Sequence, residues 1–428
     1  MYVVSRRVIR KVINYLGVLI AVPVVLGIRC LSSFVNIRFG YFFVDRIGHF
    51  AFDLEYYLCK KKEDVDEGKS IDLFFTKGKS CNETLTSILN RQLFVSPLVY
   101  YLYEVERIMF GGRNNLSPAR ITTGSMDPEG AFAKNRQGIS FLKEEEELGE
   151  EYLRKIGCDN AKFVCLVVRD SAYLDTTQST RSWNYHDYRD TRIDNYLKTV
   201  KFLANKGYWI FRMGKYVNQG INIDHPRVVD YALSPDRSDF LDIWLLSKCS
   251  FCISTSTGLD SVADVFRRPI AFVNFLPLPW FQTWSNCVLA PAHLIWIETD
   301  KKLNCIEYLQ HSYMRTEDYL EAGIRVKELS SDEILSVVTE LEGSLENAWS
   351  SKKEIERQQR QFWTLFKYGL NPVLIETENR KLSKQNTAIN QRRPTIGVKR
   401  FYHPQARISS AFLQDNMIFM ETSFSKIS

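Results

Sequence analysis

Acidic residues are missing from the first 38 positions of this 428-residue chain. That segment instead carries six basic residues, which are Arg6, Arg7, Arg10, Lys11, Arg29 and Arg38. The other 50 basic residues equal the 50 acidic residues in number, so the net charge of +6 belongs to the N terminus. A protein that binds nucleic acid over a broad surface needs a basic patch on its folded domains. This distribution excludes such a patch, and we expect no nucleic-acid partner.

The sequence also lacks the cysteine spacing of a zinc site. Its nine cysteines are scattered, and Cys249 and Cys252 form a CxxC pair with no second pair to complete it. Asp64 and Asp66 match the DxD pattern of some metal-dependent transferases, but their charged surroundings favour a solvated turn. We therefore expect no metal ion, no resident cofactor and a reducing compartment.

A third absence concerns residues 12–28, a run of 17 positions without a charged residue. A membrane-spanning helix needs about 20 apolar residues, so the run is at the short limit. No small-x-small cleavage pattern precedes Arg29, which argues against a signal peptide. The basic residues before the run predict a cytoplasmic N terminus, and Gly17, Pro23 and Gly27 allow a bent or re-entrant helix. We expect residues 1–36 to be a membrane anchor on the cytoplasmic leaflet.

Beyond the anchor, the pattern divides the chain into three parts. Residues 37–157 are predicted to form a first α/β domain, residues 158–348 a second one, and residues 349–428 a helical and partly mobile segment whose end packs back on the body. In the second domain, short apolar runs at 163–168, 208–211, 228–231, 251–253 and 270–274 alternate with helical patterns. This alternation predicts a doubly wound parallel sheet.

Polar side chains follow three of the predicted strands in the second domain. In a doubly wound sheet, ligands bind beyond the carboxyl ends of the strands. Cations and a hydroxyl-rich helix start suit the diphosphate of a nucleotide. The alternative is an ordinary capped helix with basic residues that simply reach solvent. The candidate phosphate-binding residues are Arg169, Arg212, Gly214, Lys215, Ser254, Ser256, Thr257 and Gly258.

Further polar and aromatic residues precede two predicted helices of the same domain. Aromatic faces with flanking amides suit a sugar or a base, although a packed surface loop and a simple helix cap fit the same pattern. The candidate sugar or base contacts are Asn184, His186, Tyr188, Arg189, Arg237 and Ser238.

In the first domain, His49 follows Gly48 at a predicted strand-to-helix turn. A neutral imidazole is a suitable general base at pH 7. His49 and Asp45 are therefore the candidate catalytic residues. A packed histidine in an aromatic segment is the alternative reading.

Several of these segments occur together in one known family. They are Arg46-Ile47-Gly48-His49-Phe50, residues 184–190, Phe211-Arg212-Met213-Gly214, Asp236-Arg237-Ser238-Asp239-Phe240, Ser256-Thr257-Gly258-Leu259, Arg407-Ile408-Ser409 and Phe412-Leu413. In this order they resemble a bacterial family of surface-polysaccharide (capsule or lipopolysaccharide) glycosyltransferases, over residues 37–420. One departure is Tyr185-His186-Asp187, where a His-Asn-Tyr order before Arg189 is more usual.

The resemblance implies a GT-B-like α/β architecture, in which two Rossmann-like doubly wound domains face a cleft. It also implies metal-independent transfer of a sugar from a nucleotide-sugar, a co-substrate rather than a cofactor, to a glycan or lipid-linked acceptor. The expected location is the cytoplasmic face of the bacterial inner membrane. A nucleotide-sugar epimerase of the same architecture and a non-catalytic membrane-associated assembly protein remain alternatives.

Overall fold

The computed structural model describes residues 6–63, 70–109, 125–169, 172, 188–349, 353–369 and 400–416 of the chain. These residues divide into two compact units. The first comprises residues 1–126 and 131–142, and the second comprises residues 127–130 and 143–428. The division therefore falls near residue 142, whereas the sequence pattern put it at residue 157.

The first unit contains five helices and three strands among its described residues. The helices are α1 (Arg6–Cys30), α2 (Ile47–Glu63), α3 (Glu83–Gln92), α4 (Val99–Ile108) and α5 (Ala131–Lys134). The strands are β1 (Asn36–Phe43), β2 (Ser70–Lys77) and β3 (Phe94–Val95). They form one parallel sheet in the order β1-β2-β3.

This small sheet differs from the doubly wound sheet that we expected for residues 37–157. Its strand order follows the chain without a reversal, and β3 has only two residues. The residues after β2 mainly form helices, so few strands remain to extend the sheet. Its core is aromatic, because Phe39 and Tyr41 of β1 pack with Phe75 of β2 and Tyr103 of α4.

The N-terminal segment also differs from the sequence-based expectation. Helix α1 is continuous from Arg6 to Cys30 with Pro23 inside it, rather than a re-entrant turn. Pro23 is exposed, so the carbonyl group that a proline leaves without a helical partner is near solvent. No helix in the described part of the chain is long and apolar enough to cross a membrane.

The second unit is built on a large parallel sheet. Its helices are α6 (Lys143–Lys155), α7 (Leu197–Asn205), α8 (Asp239–Lys248), α9 (Asp260–Val265), α10 (Cys305–Gln310), α11 (Thr316–Glu321), α12 (Ser331–Leu345), α13 (Lys353–Gly369) and α14 (Ser410–Asp415). Its strands are β4 (Phe163–Val167), β5 (Trp209–Met213), β6 (Val228–Val229), β7 (Phe251–Ser254), β8 (Ile270–Val273), β9 (Cys287–Ala290), β10 (His293–Trp296), β11 (Ile324–Lys327) and β12 (Ala406–Ile408).

Seven of these strands form the sheet in the order β12-β9-β8-β7-β4-β5-β6, and every pair is parallel. Strands β10 and β11 form a separate antiparallel pair. The predicted parallel sheet is confirmed, and the five predicted strands begin and end within two residues of the observed bounds. The strand predicted at 228–231 ends after Val229, because a 3-10 turn begins at Tyr231.

Side chains alternate between the two faces of this sheet. Val164, Leu166 and Ile210 point to one face and pack with residues of α7 and α12. Phe163 and Phe211 contact each other at a ring distance of 5.2 Å, and Tyr152 of α6 packs on Phe211. Helices therefore cover both faces, which explains why the central strands are buried throughout. Residues 406–408 form the edge strand β12 beside β9.

Candidate functional site

The strand order of the large sheet determines where a ligand can enter. From β4, the chain adds β5 and then β6 toward one edge of the sheet. It then adds β7, β8, β9 and β12 toward the opposite edge. The order therefore reverses between the adjacent strands β4 and β7. In open α/β sheets, the crevice beyond the carboxyl ends of the strands at such a reversal is the usual ligand site.

Two segments that follow β4 and β7 contact each other at this reversal. The backbone N–H of Arg169 donates to Thr255 Oγ1 at 2.9 Å, and the Thr255 N–H donates to the carbonyl of Val167 at 3.3 Å. The guanidinium of Arg189 donates to the carbonyl of Ser256. The structure thus brings Arg169, Arg189 and the loop 254–258 together.

Two guanidinium groups, those of Arg169 and Arg189, lie in this group. The Arg169 Nε donates to Asp190 Oδ1 at 3.0 Å. Burial, and then the nearby Arg189 guanidinium, lower the pKa of Arg169. A guanidinium group nevertheless stays charged in a protein at neutral pH. An anion bound here would relieve the repulsion between the two guanidinium groups.

The loop 254–258 is organised by a carboxylate that the sequence analysis missed. The Ser254 hydroxyl donates to Asp260 Oδ2 at 2.6 Å, and the Thr257 N–H donates to the same oxygen at 2.7 Å. Burial raises the pKa of Asp260 to about 7. A signal was present, because an acid in the first turn of a helix commonly binds its free N–H groups. The backbone N–H of Thr257, a residue that the sequence analysis proposed for phosphate binding, therefore donates to Asp260 instead.

The remaining loop residues lie at the surface of this arrangement. Ser256 has a φ of 60°, which places it in the left-handed region. Thr257 Oγ1 accepts from the Leu259 N–H at 3.2 Å. Ser256 and Thr257 are half-buried, and Gly258 is exposed. A ligand that approaches Arg189 would meet the exposed backbone of this loop.

The predicted phosphate-binding residues at the end of β5, which are Arg212, Gly214 and Lys215, make different contacts. Arg212 is only 1% exposed, and its guanidinium donates to the carbonyl of Gln219 at 2.9 Å and to Asp230 Oδ1 at 3.5 Å. Gly214 has a φ of 152°, and a side chain there would meet Val217. The Lys215 Nζ lies 3.4 Å from Asp239 Oδ1. These contacts are with residues that follow β5 or β6, or that belong to α8.

Arg237 and Ser238 organise the start of α8. Ser238 caps this helix, because its hydroxyl accepts from the Leu241 N–H at 3.1 Å. Arg237 donates to Asp242 Oδ2 at 2.7 Å. Burial raises the pKa of Asp242 to about 6 despite this partner. The helix-cap alternative therefore describes the observed contacts of Ser238.

Of the predicted residues in 184–190, Tyr188 and Arg189 are described, while Asn184 and His186 lie outside the described residues. Tyr188 is buried, its N–H donates to Thr316 Oγ1 at 3.1 Å, and its ring lies 5.5 Å from that of Tyr319. Helix α11 therefore holds the segment that presents Arg189. Asp64 and Asp66 also lie outside the described residues. Among the described ones, no group of three or more His, Cys, Asp and Glu side chains could hold a metal ion.

In the first unit, His49 lies in the first turn of α2 and is half-buried. Its Nδ1 is 3.1 Å from Ser125 Oγ. Burial, and then the Arg46 charge, lower the pKa of His49, while Asp45 opposes this change. Asp45 and Arg46 are exposed. The imidazole is therefore neutral at pH 7, which is the form that a general base requires.

No protein-family profile and no curated protein sequence matches the chain. Several solved structures are similar to it over part of its length. One is a glycosyl transferase family 9 protein from Veillonella parvula, with 11% identity, a TM-score of 0.40, and coverage of 60% of this chain and 86% of the other. Another is the iron-containing dodecameric glycosyltransferase TibC from enterotoxigenic Escherichia coli, with 13% identity, a TM-score of 0.34, and coverage of 72% and 77%.

A third similar structure is the ADP-heptose lipopolysaccharide heptosyltransferase II of E. coli. It has 12% identity and a TM-score of 0.32, and the match covers 59% of this chain and 90% of that protein.

Proposed function

We propose that this protein is a glycosyltransferase that uses a nucleotide-sugar donor. The second unit would bind the donor at the reversal between β4 and β7. The observation that carries this proposal is the meeting of Arg169, Arg189 and the loop 254–258 at one end of the sheet. Two guanidinium groups beside the hydroxyl-rich loop favour an anionic diphosphate over a neutral ligand.

These contacts support a narrower set of donor residues than the sequence analysis proposed. Arg189 and Arg169 would hold the diphosphate, because both lie at the loop. Asp260 would keep the loop in shape by accepting from Ser254 and Thr257. Arg212 is buried with Asp230 and would support β5 instead of touching the donor.

Transfer of the sugar leaves negative charge on the departing diphosphate. Fixed cations that stabilise this charge lower the barrier without a metal ion, and Arg169 and Arg189 would supply them. His49 would accept the proton of the acceptor hydroxyl, since its imidazole is neutral at pH 7. The acceptor would be a glycan or a lipid-linked sugar at the cytoplasmic face of the bacterial inner membrane, consistent with the resemblance of the sequence.

Titration calorimetry with ADP, GDP, UDP and CDP tests the donor site. We expect one or more of them to bind, and Arg189→Gln to weaken that binding by about 1.5–3 kcal/mol, the range for a hydrogen bond to a charged group. Arg325→Gln is the matched control. Arg325 lies in β11 and pairs with Asp300 at the surface, so we expect its substitution to leave binding unchanged.

Three results would contradict the proposal. The first is equal affinity of Arg189→Gln and wild type on folded protein, which would mean that the diphosphate does not bind at Arg189. The second is conversion of a nucleotide-sugar to its epimer with no transfer of the sugar to an acceptor and no net release of the nucleoside diphosphate, which would identify an epimerase. The third is a folded protein that binds none of the four nucleotides, which would favour the assembly protein.

A further inference from the structure

One face of helix α1 packs against helix α4 of the same unit. Ala21 and Val25 of this face are buried against Val105 of α4, and Val18 and Val22 pack beside them. Near the middle of the helix, Gly17 lies against Tyr101, where any side chain would overlap the tyrosine ring. The close approach of α1 to α4 therefore requires glycine at this position.

An ion pair fixes the other end of α1 to the same helix. Nε and Nη2 of Arg29 each lie 3.0 Å from a carboxylate oxygen of Glu106, and Glu106 is fully buried. A buried carboxylate of this kind is costly to leave without its partner. The contacts with α4 thus hold α1 to the unit from Gly17 to Arg29.

The opposite face of α1 is apolar and exposed. Tyr15, Leu19 and Ile20 are 73%, 67% and 69% exposed. Leu16, Val24 and Leu26 are also exposed, and Leu31 and Phe34 continue the apolar surface beyond the helix. Positions 16, 20 and 24 are spaced by four residues, so they form a continuous row on one side. A continuous exposed apolar surface of this kind is typical of a site that binds another protein or a membrane.

The charge of this segment indicates what covers the apolar row. Arg29 and Arg38 are neutralised within the unit by Glu106 and Asp72. The other four basic residues of residues 1–38 are Arg6, Arg7, Arg10 and Lys11, which precede the row in the same helix, and no acidic residue accompanies them. An apolar face with a basic end is complementary to a membrane that contains anionic lipids.

We propose that the exposed face of α1, formed by Tyr15, Leu16, Leu19, Ile20 and Val24, docks on an anionic membrane surface. The apolar side chains enter the boundary between headgroups and acyl chains, and the opposite face stays packed on α4. This docking is independent of the proposed sugar transfer, since no residue of the candidate donor site takes part in it.

Co-sedimentation of the full chain with lipid vesicles tests the proposal. We expect binding to vesicles of phosphatidylcholine and phosphatidylglycerol, and weaker binding to phosphatidylcholine alone. Replacing both Leu19 and Ile20 by Glu should reduce binding by at least about tenfold, because charged groups enter the membrane boundary poorly. Replacing Arg10 and Lys11 by Gln should reduce binding to the anionic vesicles by about tenfold, since each basic residue contributes to the attraction.

Matched controls separate docking from folding. Leu233→Glu with Ile297→Glu makes the same change at two exposed apolar residues of the second unit, and this variant should bind vesicles like wild type. The melting temperature of L19E/I20E should be unchanged, because both side chains are exposed. If the melting temperature of L19E/I20E falls, Tyr15→Glu replaces that variant, because Tyr15 is the most exposed residue of this face of α1.

Two outcomes would overturn the proposal. The first is wild-type vesicle binding by a folded L19E/I20E or Tyr15→Glu variant. The second is a wild-type dimer in light scattering that becomes a monomer in L19E/I20E while vesicles capture neither form. That result would mean that a second copy of the chain covers the row.

Discussion

At the scale of single residues, the tautomer of His49 determines what its imidazole can do. Its Nδ1 lies 3.1 Å from Ser125 Oγ. When Nδ1 carries the proton and donates to Ser125, the lone pair of Nε2 is available to accept a proton from an acceptor hydroxyl. In that tautomer Ser125 orients the imidazole through this hydrogen bond and is a positioning residue.

We expect His49→Ala to lower the rate of sugar transfer by roughly 10²–10⁴-fold, the usual contribution of a general base. The wild-type rate should stay level around pH 7 and decline only at lower pH, because the lowered pKa of His49 keeps its imidazole neutral near pH 7. Acceptor-dependent release of the nucleoside diphosphate, followed against pH, measures both effects.

Ser125→Ala is the companion variant, and we expect a smaller loss of rate with a changed acid limb. Nucleotide affinity should be the same in both variants. A His49→Ala protein with full activity would remove His49 from the chemistry. A large fall in its melting temperature with a proportionate loss of activity would identify a packed histidine.

The candidate site shows which residue-scale features a sequence can predict. The loop 254–258 and the arginine at 169 were found because they follow buried strands. Arg212 follows the same pattern, yet its side chain is buried with Asp230, a partner that comes from another strand connection. Asp260 was missed because the hydroxyl residues beside it matched a phosphate loop. Burial and pairing of a charged side chain depend on contacts that periodicity does not contain.

At the scale of helices and strands, local signals were sufficient for most of the second unit. Ser238 caps the start of α8, and Ser330 with Glu333 forms a capping box at the start of α12, so side chains near in sequence mark both helix starts. Strand β12 was harder to assign, because residues 406–408 form only a short edge strand. Its stability depends on a side chain from another element.

That side chain is Gln359 of α13, which is buried. Its Nε2 donates to the carbonyl of Ile408 at 2.6 Å, and the Ile408 N–H donates to its Oε1 at 3.3 Å. The amide therefore satisfies the outer edge of β12. We expect Gln359→Ala to lower the free energy of unfolding by about 2 kcal/mol, because two buried backbone groups lose their partners.

Amide hydrogen exchange provides the local measurement for this prediction. Protection of residues 406–408 should fall in Gln359→Ala more than protection of β4 or β7. Arg360→Ala is the control, since Arg360 is the exposed neighbour on the same helix, and it should change stability by a few tenths of a kcal/mol. Equal protection of β12 in both variants would show that Gln359 is dispensable.

At the scale of the whole molecule, the order of strands in the sheet could not be predicted from the sequence pattern. Alternating strands and helices predict a parallel sheet, but they do not predict the order of its strands. In particular, they do not predict that β7 pairs with β4 rather than with β6, the strand that precedes it in the chain. That neighbour relation places the loop 254–258 against Arg169. Likewise, the pair of Arg29 and Glu106 joins residues 77 positions apart. Contacts of this range follow from the assembled core, where side-chain shape and burial select one arrangement.

Both units also contain carboxyl groups whose pKa is raised by burial. Burial raises the pKa of Asp53 in the first unit to about 8, and Asp53 Oδ1 has no hydrogen-bond partner in the structure. In the second unit, burial raises the pKa of Asp264 to about 6, even though Trp284 and Ser285 donate to it. Asp242 and Asp260 are raised in the same direction.

The sign of the resulting pH dependence follows from proton binding. Between pH 4 and 8 the folded chain keeps the proton of Asp53, whereas an unfolded aspartate, with a pKa of about 3.9, releases it. The folded state thus binds more protons, so these groups make the free energy of unfolding fall as the pH rises. The largest change is about 1.4 kcal/mol per pH unit for one such group.

We therefore expect Asp53→Asn to stabilise the protein, and to do so more at pH 8 than at pH 5, because the neutral amide removes the cost of ionising a buried carboxyl. Melting temperatures of wild type and Asp53→Asn, compared at each pH from 5 to 8, measure this difference. Asp45→Asn, which changes an exposed carboxyl in the same unit, should leave the difference near zero. An Asp53→Asn variant that is less stable than wild type at pH 8 would mean that Asp53 is ionised in the fold and bound to a cation.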